Sequence, residues 1–301
     1  MRIGVTGATG FLGRYIVAHL VDQGHHCRCW YRPSSDRGGL EASEGAITWV
    51  EGSLGNPESA RELVEGCDAV VHAALEHPGG GFRGGEGDLL EFVEANVLGT
   101  IRLIEEARRA DVTRFVFIST CAVHETILDD RPLDEAHPLW PGSHYGAHKA
   151  AIEAFVHSYG RGNGFPICAL RPTGIYGMAW PVRASKWFDL IGKAVRGEDV
   201  NCERGGKEVH AADVARAVAL LLSADGVAGE AYSCYDRYIS DHEVATIAKE
   251  IAGSRSEIRG GATSPRHQIV TDKLQAMGMR FGGRPLLERT IRDIIQQAGP
   301  S

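Results

Sequence analysis

The stretch TGATGFLG, residues 6–13, decides the fold. Its three glycines, Gly7, Gly10 and Gly13, recur at every third position between an apolar, strand-like run and an amphipathic, helix-like run. Glycines in such a turn permit a tight bend, let the backbone approach a pyrophosphate and let helix and strand pack closely. Free N–H groups at the helix start, together with the helix dipole, attract negative charge. The stretch therefore predicts a dinucleotide-binding turn rather than a plain strand–helix connection.

Outward from this turn, apolar β-type runs alternate with helical runs over the first two-thirds of the chain. Strands are predicted at 2–6, 26–31, 47–52, 68–74, 114–120 and 165–172, with a further one at 230–235. Helices are predicted at 11–24, 57–66, 89–110, 143–161, 184–197, 211–225, 241–253 and 285–299. This alternation predicts an α/β fold with a doubly wound, Rossmann-like parallel sheet covered by helices on both faces. The glycine-dense segment 78–88 is predicted to be a mobile surface loop.

The pattern becomes less regular beyond Arg171, which indicates a second, smaller α/β lobe. We expect a dinucleotide-binding domain over 1–173 plus about 206–235. The substrate-binding lobe is then expected over about 174–205 and 236–301.

The composition is that of a soluble globular protein, with 43% hydrophobic and 24% charged residues among 301. A net charge of −7 gives no reason to expect nucleic acid or an anionic membrane as partner. No apolar run approaches the roughly 20 residues of a membrane helix, and the N-terminus lacks a signal-peptide pattern. The seven cysteines and 13 histidines show no metal-ligand spacing. We therefore expect a cytoplasmic, metal-free protein with reduced thiols and a small-molecule partner.

Candidate catalytic residues lie at two places. Tyr145 and Lys149 are four apart in a predicted helix and therefore share a face. A nearby ammonium favours the phenolate, so the pair can exchange a proton in an alcohol–ketone step. Thr120 ends the fifth strand, at the carboxyl edge where parallel sheets bind ligands, and its hydroxyl can hydrogen-bond the reacting oxygen. Ser119 is the competing candidate; strand alternation separates the two hydroxyls, and we favour Thr120.

Together these motifs resemble the extended short-chain dehydrogenase/reductases, in particular the NAD(P)-dependent epimerase/dehydratase family. The matching segments, in order, are the glycine turn, DAVVHAA (68–74), EANVLGT (94–100), FVFISTCAVH (115–124), YGAHK (145–149) and LRPTGIYG (170–177). The resemblance implies hydride transfer at a secondary alcohol or ketone carbon of a sugar or sugar nucleotide. Thr120, Tyr145 and Lys149 would be catalytic, with Tyr145 as acid/base. A homodimer formed through helices near 89–110 and 144–161 is implied as well.

The resemblance also assigns residues to the cofactor. These are Gly7, Thr9, Gly10, Phe11, Leu12, Gly13, Tyr31, Arg32, Ser35, Ser53, Leu54, Ala73, Ala74, Asn96, Ser119, Tyr145, Lys149, Pro172 and Thr173. NAD-dependent members usually carry an acidic residue at the end of the second strand, where this chain has Tyr31 followed by Arg32. No carboxylate there repels a 2′-phosphate, and a guanidinium and hydroxyls can bind it. The sequence favours NADP, with NAD as the alternative.

Departures from the family bear on the substrate. Gly206 stands where members acting on sugar nucleotides carry a phosphate-binding arginine, although Arg204 and Lys207 are near. Thr120, His124 and Tyr176 are candidate substrate contacts. His144 and His148, like His124, either face the site or are surface or packing histidines.

Two alternatives to the sugar-type enzyme stay open. One is an NADPH-dependent carbonyl reductase resembling dihydroflavonol reductases, suggested by YRPSSDR (31–37) and the missing arginine. The other is a non-enzymatic NADP-binding sensor. The presence of Thr120, Tyr145 and Lys149 argues for an enzyme.

Overall fold

A computed structural model describes residues 1–78, 84–261 and 264–298. Residues 79–83 of the glycine-dense segment 78–88, which the sequence predicts to be a mobile loop, lie outside the described residues. Within the described ranges, no helix is both long enough and apolar enough to cross a membrane.

The strands and helices follow one another in the predicted alternation. The strands are β1 (Arg2–Thr6), β2 (His26–Tyr31), β3 (Ile47–Glu51), β4 (Ala69–His72), β5 (Arg114–Ile118), β6 (Ile167–Pro172), β7 (Gly174–Tyr176), β8 (Val200–Asn201), β9 (Gly205–His210), β10 (Ala231–Cys234), β11 (Arg237–Ser240) and β12 (Ile258–Arg259). The α-helices are α1 (Phe11–Asp22), α2 (Pro57–Val64), α3 (Leu89–Val93), α4 (Gly99–Arg109), α5 (His144–His157), α6 (Phe188–Val195), α7 (Ala211–Ser223), α8 (Asp241–Ala252), α9 (Asp272–Ala276) and α10 (Gly283–Ala298).

The central sheet has seven strands in the order β10-β6-β5-β4-β1-β2-β3, all paired in parallel. The predicted Rossmann-like parallel sheet is confirmed, including the further strand at its edge. The strand order reverses at β1, so the crevice between β1 and β4 is the switch point where such sheets bind ligands. The turn after β1 lies at this crevice.

The core explains why the strands read as apolar runs. Phe115, Phe117, Ile167 and Ala169 of β5 and β6 are almost completely buried and pack with side chains of α2, α4 and α5. Strands covered on both faces have no solvent side, so they lack polar alternation. Helix starts follow local chemistry: Asn56 caps α2 by accepting from the N–H of Glu58 at 2.9 Å, with Pro57 in the first turn.

The chain divides into two compact units. The first contains 1–172, 214–234 and 269–279; the second contains 173–213, 235–268 and 280–301. Relative to the split expected from sequence, 206–213 falls in the second unit and 269–279 in the first. Lys273 of α9 holds the latter segment to the sheet edge, because its ammonium donates to the carbonyl oxygen of Ala231 at 2.8 Å.

Several short elements escaped the sequence analysis. The second unit has a three-stranded sheet, ordered β11-β9-β7, and a two-stranded pair of β12 and β8. These strands are two to six residues long, and β9 begins with two glycines, so none carries a clear periodic pattern. The helix predicted at 89–110 is interrupted by a π turn at Glu94–Leu98. The helix predicted at 184–197 is shorter, at Phe188–Val195.

Candidate active site

The turn after β1 needs its glycines for steric reasons. Gly7 has a φ of +71°, and a β-carbon there would lie 2.7 Å from the carbonyl carbon of Ala73. A β-carbon on Gly13 would overlap the carbonyl oxygen of Gly7, so α1 can pack against the turn only with glycine at this position. The N–H of Gly10 closes the turn by donating to the Gly7 carbonyl at 3.0 Å.

The start of α1 offers free donors to an anion. Gly10 is the N-cap, no described side chain caps it, and the first turn of α1 carries no acidic residue. The N–H groups at Phe11 and Leu12 therefore point out of the helix end, beside Thr9. An uncapped helix N-terminus reached through a glycine turn fits the pyrophosphate of a dinucleotide. Arg14 braces this region by donating to the carbonyls of Thr9 and, at 2.8 Å, Gly38.

A buried polar chain ties β1 to β4. The Thr6 hydroxyl oxygen accepts from the N–H groups of Ala73 and Ala74 at 3.2 and 3.1 Å, and it donates to Nδ1 of His72 at 2.6 Å. On its other side, His72 Nε2–H donates to Thr100 at 2.8 Å, because the Thr100 hydroxyl itself donates to the Asn96 carbonyl. Burial, with the Lys149 charge second, lowers the pKa of His72 to about 3. The neutral ring thus fixes the segment after β4.

Asn96 holds the next part of that segment. Its side-chain oxygen accepts from the Glu76 N–H at 2.8 Å, and its amide nitrogen donates to the Glu76 carbonyl at 2.7 Å. Asn96 is 2% exposed and belongs to the π turn, a feature frequent at functional sites. The Asn96 side chain therefore holds the backbone of the segment that follows β4, which includes the predicted cofactor residues Ala73 and Ala74.

A carboxylate lies at the end of β2, although the sequence of that strand contains none there. Glu76 reaches it from the loop after β4, and Arg32 Nη1 donates to both Glu76 carboxylate oxygens at 3.0 and 2.9 Å. Ser35 turns back, and its hydroxyl accepts from the Arg32 N–H at 3.0 Å. The Arg37 guanidinium lies over the rings of Tyr31 and Trp49, 5.0 and 5.6 Å from their centroids.

The other predicted cofactor residues flank this edge. Ser53 follows β3, and its N–H donates to Ser59 at 3.3 Å. The neighbouring Leu54 is buried, and its carbonyl contacts the start of α4 so closely that a β-carbon on Gly99 would overlap it. Pro172 ends β6. Thr173 begins the second unit, and its buried hydroxyl has no partner in the described part of the chain.

The two candidate hydroxyls after β5 have different surroundings. Ser119 is 2% exposed and donates to the Glu153 carboxylate. Thr120 is the N-cap of a 3₁₀ turn at Cys121–Val123, where its hydroxyl oxygen accepts from the Ala122 N–H at 3.1 Å. The Ser119 hydroxyl is thus committed to the core, while the Thr120 hydroxyl lies at the strand end and keeps its proton available.

Lys149 lies beneath the end of β5. Its ammonium donates to the Ile118 carbonyl at 2.8 Å and lies 4.6 Å from the centroid of the Phe117 ring. Burial lowers the pKa of Lys149 to about 7, against the opposing effect of the Glu153 charge. The side chain therefore titrates near neutral pH, although an exposed lysine titrates near 10.4.

The helix that carries Tyr145 is pressed against the turn that Thr120 caps. A β-carbon on Gly146 would lie 2.7 Å from the Ala122 carbonyl oxygen, so glycine allows the two backbones to touch. Ser143 caps α5 by accepting from the Gly146 N–H at 3.1 Å. The Tyr145 N–H donates to the Glu86 carboxylate at 3.2 Å. Thr120, Tyr145 and Lys149 are thus brought to one end of β5.

A buried ion pair lies behind these residues. Arg171 and Glu153, 1% and 0% exposed, pair at 2.5 Å. Arg171 also donates to Nε2 of His124 at 3.1 Å, while Nδ1–H of His124 donates to the Pro138 carbonyl at 3.1 Å. Burial, and then the Arg171 charge, lowers the pKa of His124 to about 4. His124 therefore belongs to a buried network, and its ring nitrogens are both engaged.

The remaining candidate histidines differ in exposure, and Tyr176 lies in the other unit. His144 is exposed, whereas His148 packs edge-on against Phe92, with ring centroids 5.0 Å apart. Burial lowers the pKa of His148 to about 2. Tyr176 belongs to the second unit, is fully buried, and packs between the rings of Trp187 and His210.

Sequence reasoning missed three residues that shape the site. Glu153 lies four residues after Lys149, a helical spacing that could have suggested a charge on the same face. Gly146, directly after Tyr145, was an isolated glycine in a predicted helix, which signals close backbone approach. Glu76 carried no signal, since its partner Arg32 is 44 residues away.

The arrangement suits proton transfer beside a bound dinucleotide. The Thr120 hydroxyl and the Lys149 ammonium lie at the carboxyl end of β5, and the helix that carries Tyr145 packs against the turn that Thr120 caps. On the far side of β4, β1 ends in the glycine turn, whose helix start suits an anion. Such groups can orient an alcohol or carbonyl oxygen and exchange its proton.

Comparison with known proteins agrees with this geometry. The sequence model of the NAD dependent epimerase/dehydratase family matches residues 3–234. A 4-hydroxy-2-methyl-3-oxo-4-farnesyl-3,4-dihydroquinoline-1-oxide ketoreductase from Stigmatella aurantiaca is 31% identical over 268 residues, covering 86% of this chain and 75% of the relative. The dTDP-D-glucose 4,6-dehydratase of Mus musculus is 28% identical over 272 residues, covering 83% and 72%.

Among solved structures, the UDP-glucose 4-epimerase of Thermus thermophilus in complex with NAD shares the fold, with a TM-score of 0.79. It is 24% identical and the alignment covers 100% of both chains. Both of these relatives are named as enzymes, which favours an enzyme over the sensor alternative. The sequence motifs, the fold and the family match converge on one assignment. The chain is an enzyme of the NAD-dependent epimerase/dehydratase family.

Proposed function

We propose that this enzyme moves a hydride at a secondary alcohol or ketone carbon, with Tyr145 as the proton donor and acceptor. The observation that carries the proposal is the packing of α5 on the Thr120 turn, with the Lys149 ammonium bonded to the last carbonyl of β5. The first unit would bind the dinucleotide, and residues of the second unit would bind the substrate. Both assignments rest on the glycine turn and on the family.

The chain's own residues supply geometry and proton transfer. When bound, the nicotinamide ring gives or takes the hydride. The Tyr145 phenol passes a proton to or from the substrate oxygen, and the Thr120 hydroxyl holds that oxygen by a hydrogen bond. Lys149 favours the phenolate by its charge and orients the nicotinamide ribose. The engagement of Ser119 with Glu153 supports Thr120 over Ser119.

For the cofactor we propose NADP, with NAD also bound. The N–H groups at the start of α1 would hold the pyrophosphate, and Ala73 and Ala74 would line its path. Arg32 and Ser35 at the end of β2 support binding of a 2′-phosphate. The adenine would lie beside Tyr31, Ser53 and Leu54.

For the substrate, a sugar nucleotide is one candidate, supported by the dehydratase and epimerase relatives. A second candidate is net reduction of a ketone, supported by the ketoreductase relative and by the surroundings of Gly206. A β-carbon on Gly206 would lie 2.5 Å from a carboxylate oxygen of Glu208, which is buried and paired with Lys186. An arginine cannot occupy this position without displacing Glu208, so we favour ketone reduction.

Turnover of the two substrate classes separates these candidates. Net ketone reduction oxidises NADPH stoichiometrically, so absorbance at the nicotinamide band falls. Epimerisation or dehydration of a sugar nucleotide regenerates the cofactor and leaves that absorbance unchanged while the sugar changes. Sugar-nucleotide conversion without any ketone reduction would contradict the choice.

Tyr145→Phe tests the mechanism itself. We expect turnover to fall by at least about 100-fold, the scale of a lost acid/base group. Dinucleotide affinity should stay almost unchanged. Tyr159→Phe is the matched control, because the Tyr159 hydroxyl donates to Glu105 at 2.7 Å away from the strand end. Unchanged turnover in Tyr145→Phe would contradict the proposed role.

We also propose a homodimer formed through α3, α4 and α5. Leu90 on α3, Leu98 in the π turn before α4 and Phe155 on α5 are 79%, 41% and 39% exposed, which supports a covering partner. The expected mass in solution is that of two chains. Leu90→Glu should shift the population toward monomer in sedimentation experiments.

A cytoplasmic location is proposed on the state of the thiols. None of the seven cysteines forms a disulfide, and six of them are buried. Reduced, buried thiols are usual in a reducing compartment. Fractionation of cells that express the chain tests this location.

A further inference from the structure

We propose that Glu76 sets the choice between NAD and NADP by holding Arg32. The inference rests on the proposed cofactor function and goes beyond it by assigning selectivity to a residue outside β2. Arg32 Nη1 donates to both oxygens of the Glu76 carboxylate, at 3.0 and 2.9 Å.

The backbone of Glu76 is held in place, which keeps its side chain within reach of Arg32. The buried Asn96 side chain holds both the N–H and the carbonyl of Glu76, at 2.8 and 2.7 Å. The neighbouring Ala73 and Ala74 are anchored to Thr6. The position of Glu76 is therefore set by the same polar network that fixes the segment after β4.

The ion pair spans the edge where an adenosine ribose binds. β2 and β4 pair with β1 on either side, so the pair crosses the carboxyl end of the glycine-turn strand. In folds of this type an acidic side chain near the end of β2 binds the ribose 2′-hydroxyl, whereas an arginine there binds a 2′-phosphate. Arg32 and Glu76 place both kinds of group at one point.

The competition has a direct physical basis. A 2′-phosphate and the Glu76 carboxylate would both bind the Arg32 guanidinium, and the two anions repel each other. Arg37 is less able to substitute, since it lies over Tyr31 and Trp49. Arg32 and Glu76 are 54% and 45% exposed, so the pair is weak enough to exchange. Glu76 thus limits the preference for NADP and lets NAD bind.

Dissociation constants of NAD⁺ and NADP⁺ for the full chain test this inference, measured by tryptophan fluorescence or calorimetry. Glu76→Gln keeps the backbone that Asn96 holds and removes only the charge. It should tighten NADP⁺ roughly three- to fivefold relative to NAD⁺, the scale of one exposed charge contact. The gain should shrink at high salt. Glu198→Gln, which breaks the similarly exposed pair with Arg196, should change neither constant.

The Arg32→Gln variant identifies the link. It should weaken NADP⁺ but not NAD⁺, and adding Glu76→Gln to it should bring little further gain. Equal gains from Glu76→Gln with and without Arg32 would overturn Arg32 as the link. An unchanged NADP⁺/NAD⁺ ratio in Glu76→Gln would overturn the inference alone, whereas wild-type protein that binds neither dinucleotide would overturn the proposed function as well.

Discussion

The Lys149 ammonium is bonded to the Ile118 carbonyl, at 2.8 Å, inside the core of the first unit. This contact joins the helix of Tyr145 to the strand that ends beside Thr120. It also places a cation where burial lowers its pKa to about 7. The fold therefore disfavours the charge on this lysine and brings its titration close to neutral pH, which is typical of functional lysines.

Lys149→Met should lower turnover and also change how the stability of the protein depends on pH. Turnover should fall by about 100-fold or more. Between about pH 7 and 10.5 the unfolded chain holds a proton on Lys149 that the folded chain has released. The free energy of unfolding of the wild type should therefore increase as the pH rises through this range. The variant should lack this gain in urea unfolding.

Lys193→Met is the control for that measurement, because Lys193 is exposed. Its unfolding should follow the wild-type pH dependence. A Lys149→Met protein with the same pH dependence as the wild type would contradict the lowered pKa.

Gly146→Ala should move α5 away from the Thr120 turn. The new β-carbon would lie 2.7 Å from the Ala122 carbonyl oxygen and 2.8 Å from Pro141 Cβ. We expect a loss of about 1–3 kcal/mol in the free energy of unfolding, as for other overpacked sites. A drop in kcat with retained dinucleotide affinity should accompany it, since the shift affects the helix of Tyr145.

Gly162→Ala gives the comparison. Gly162 lies in the π turn that follows α5, and a β-carbon there would have no neighbour within 4 Å among the described residues. Alanine at an open helical site is neutral or stabilising by up to about 1 kcal/mol. If both variants behave alike, the close packing of Gly146 does not position Tyr145.

What the sequence predicts here is what local chemistry determines. The turn at Gly7 and Gly13 is recognisable because the strand, the glycines and the helix are contiguous, and strands buried on both faces read as apolar runs. The spacing of Tyr145 and Lys149 predicts a shared helix face, and the surrounding strands and glycine turn make the pair a catalytic candidate. Each of these features lies within one element or one turn.

The parts that escaped prediction depend on contacts between distant residues. Glu76 reaches Arg32 across 44 residues, and Glu153 binds Ser119 across 34. No periodicity links such pairs, because their approach is decided by the order of strands in the sheet. The short strands β7, β9 and β11 were missed for a related reason, since their pairing is set by the second unit's packing rather than by their own composition.

The buried Arg171–Glu153 pair should be far more sensitive to single than to paired replacement. Arg171→Met leaves the Glu153 carboxylate buried without its cation, and should reduce stability by about 3–5 kcal/mol. The double variant Arg171→Met/Glu153→Leu removes both charges and should lose less. Arg196→Met, in an exposed pair, should lose at most about 1 kcal/mol. Urea unfolding of the three variants tests this order. A double variant with a lower free energy of unfolding than Arg171→Met would refute it.

His72 should make the protein sensitive to acid through its position between Thr6 and Thr100. Its pKa is lowered from 6.5 to about 3 in the folded chain. Below about pH 6.5 the unfolded chain therefore binds a proton that the folded chain does not, so this group's contribution to stability is full above pH 6.5 and is lost as the pH falls toward 3.

His72→Gln removes that titration together with the ring's two hydrogen bonds. We expect a loss of about 1–3 kcal/mol at pH 7.5, the range for buried groups left unpaired, and a smaller further loss than the wild type between pH 7.5 and 4.5. His26→Gln, whose ring makes an exposed contact with Thr48 at 2.9 Å, should keep the wild-type pH dependence. Since the network also fixes Ala73 and Ala74, His72→Gln should weaken dinucleotide binding as well. Unaltered acid sensitivity in His72→Gln would show that the ring is already protonated, or already exposed, in the folded enzyme.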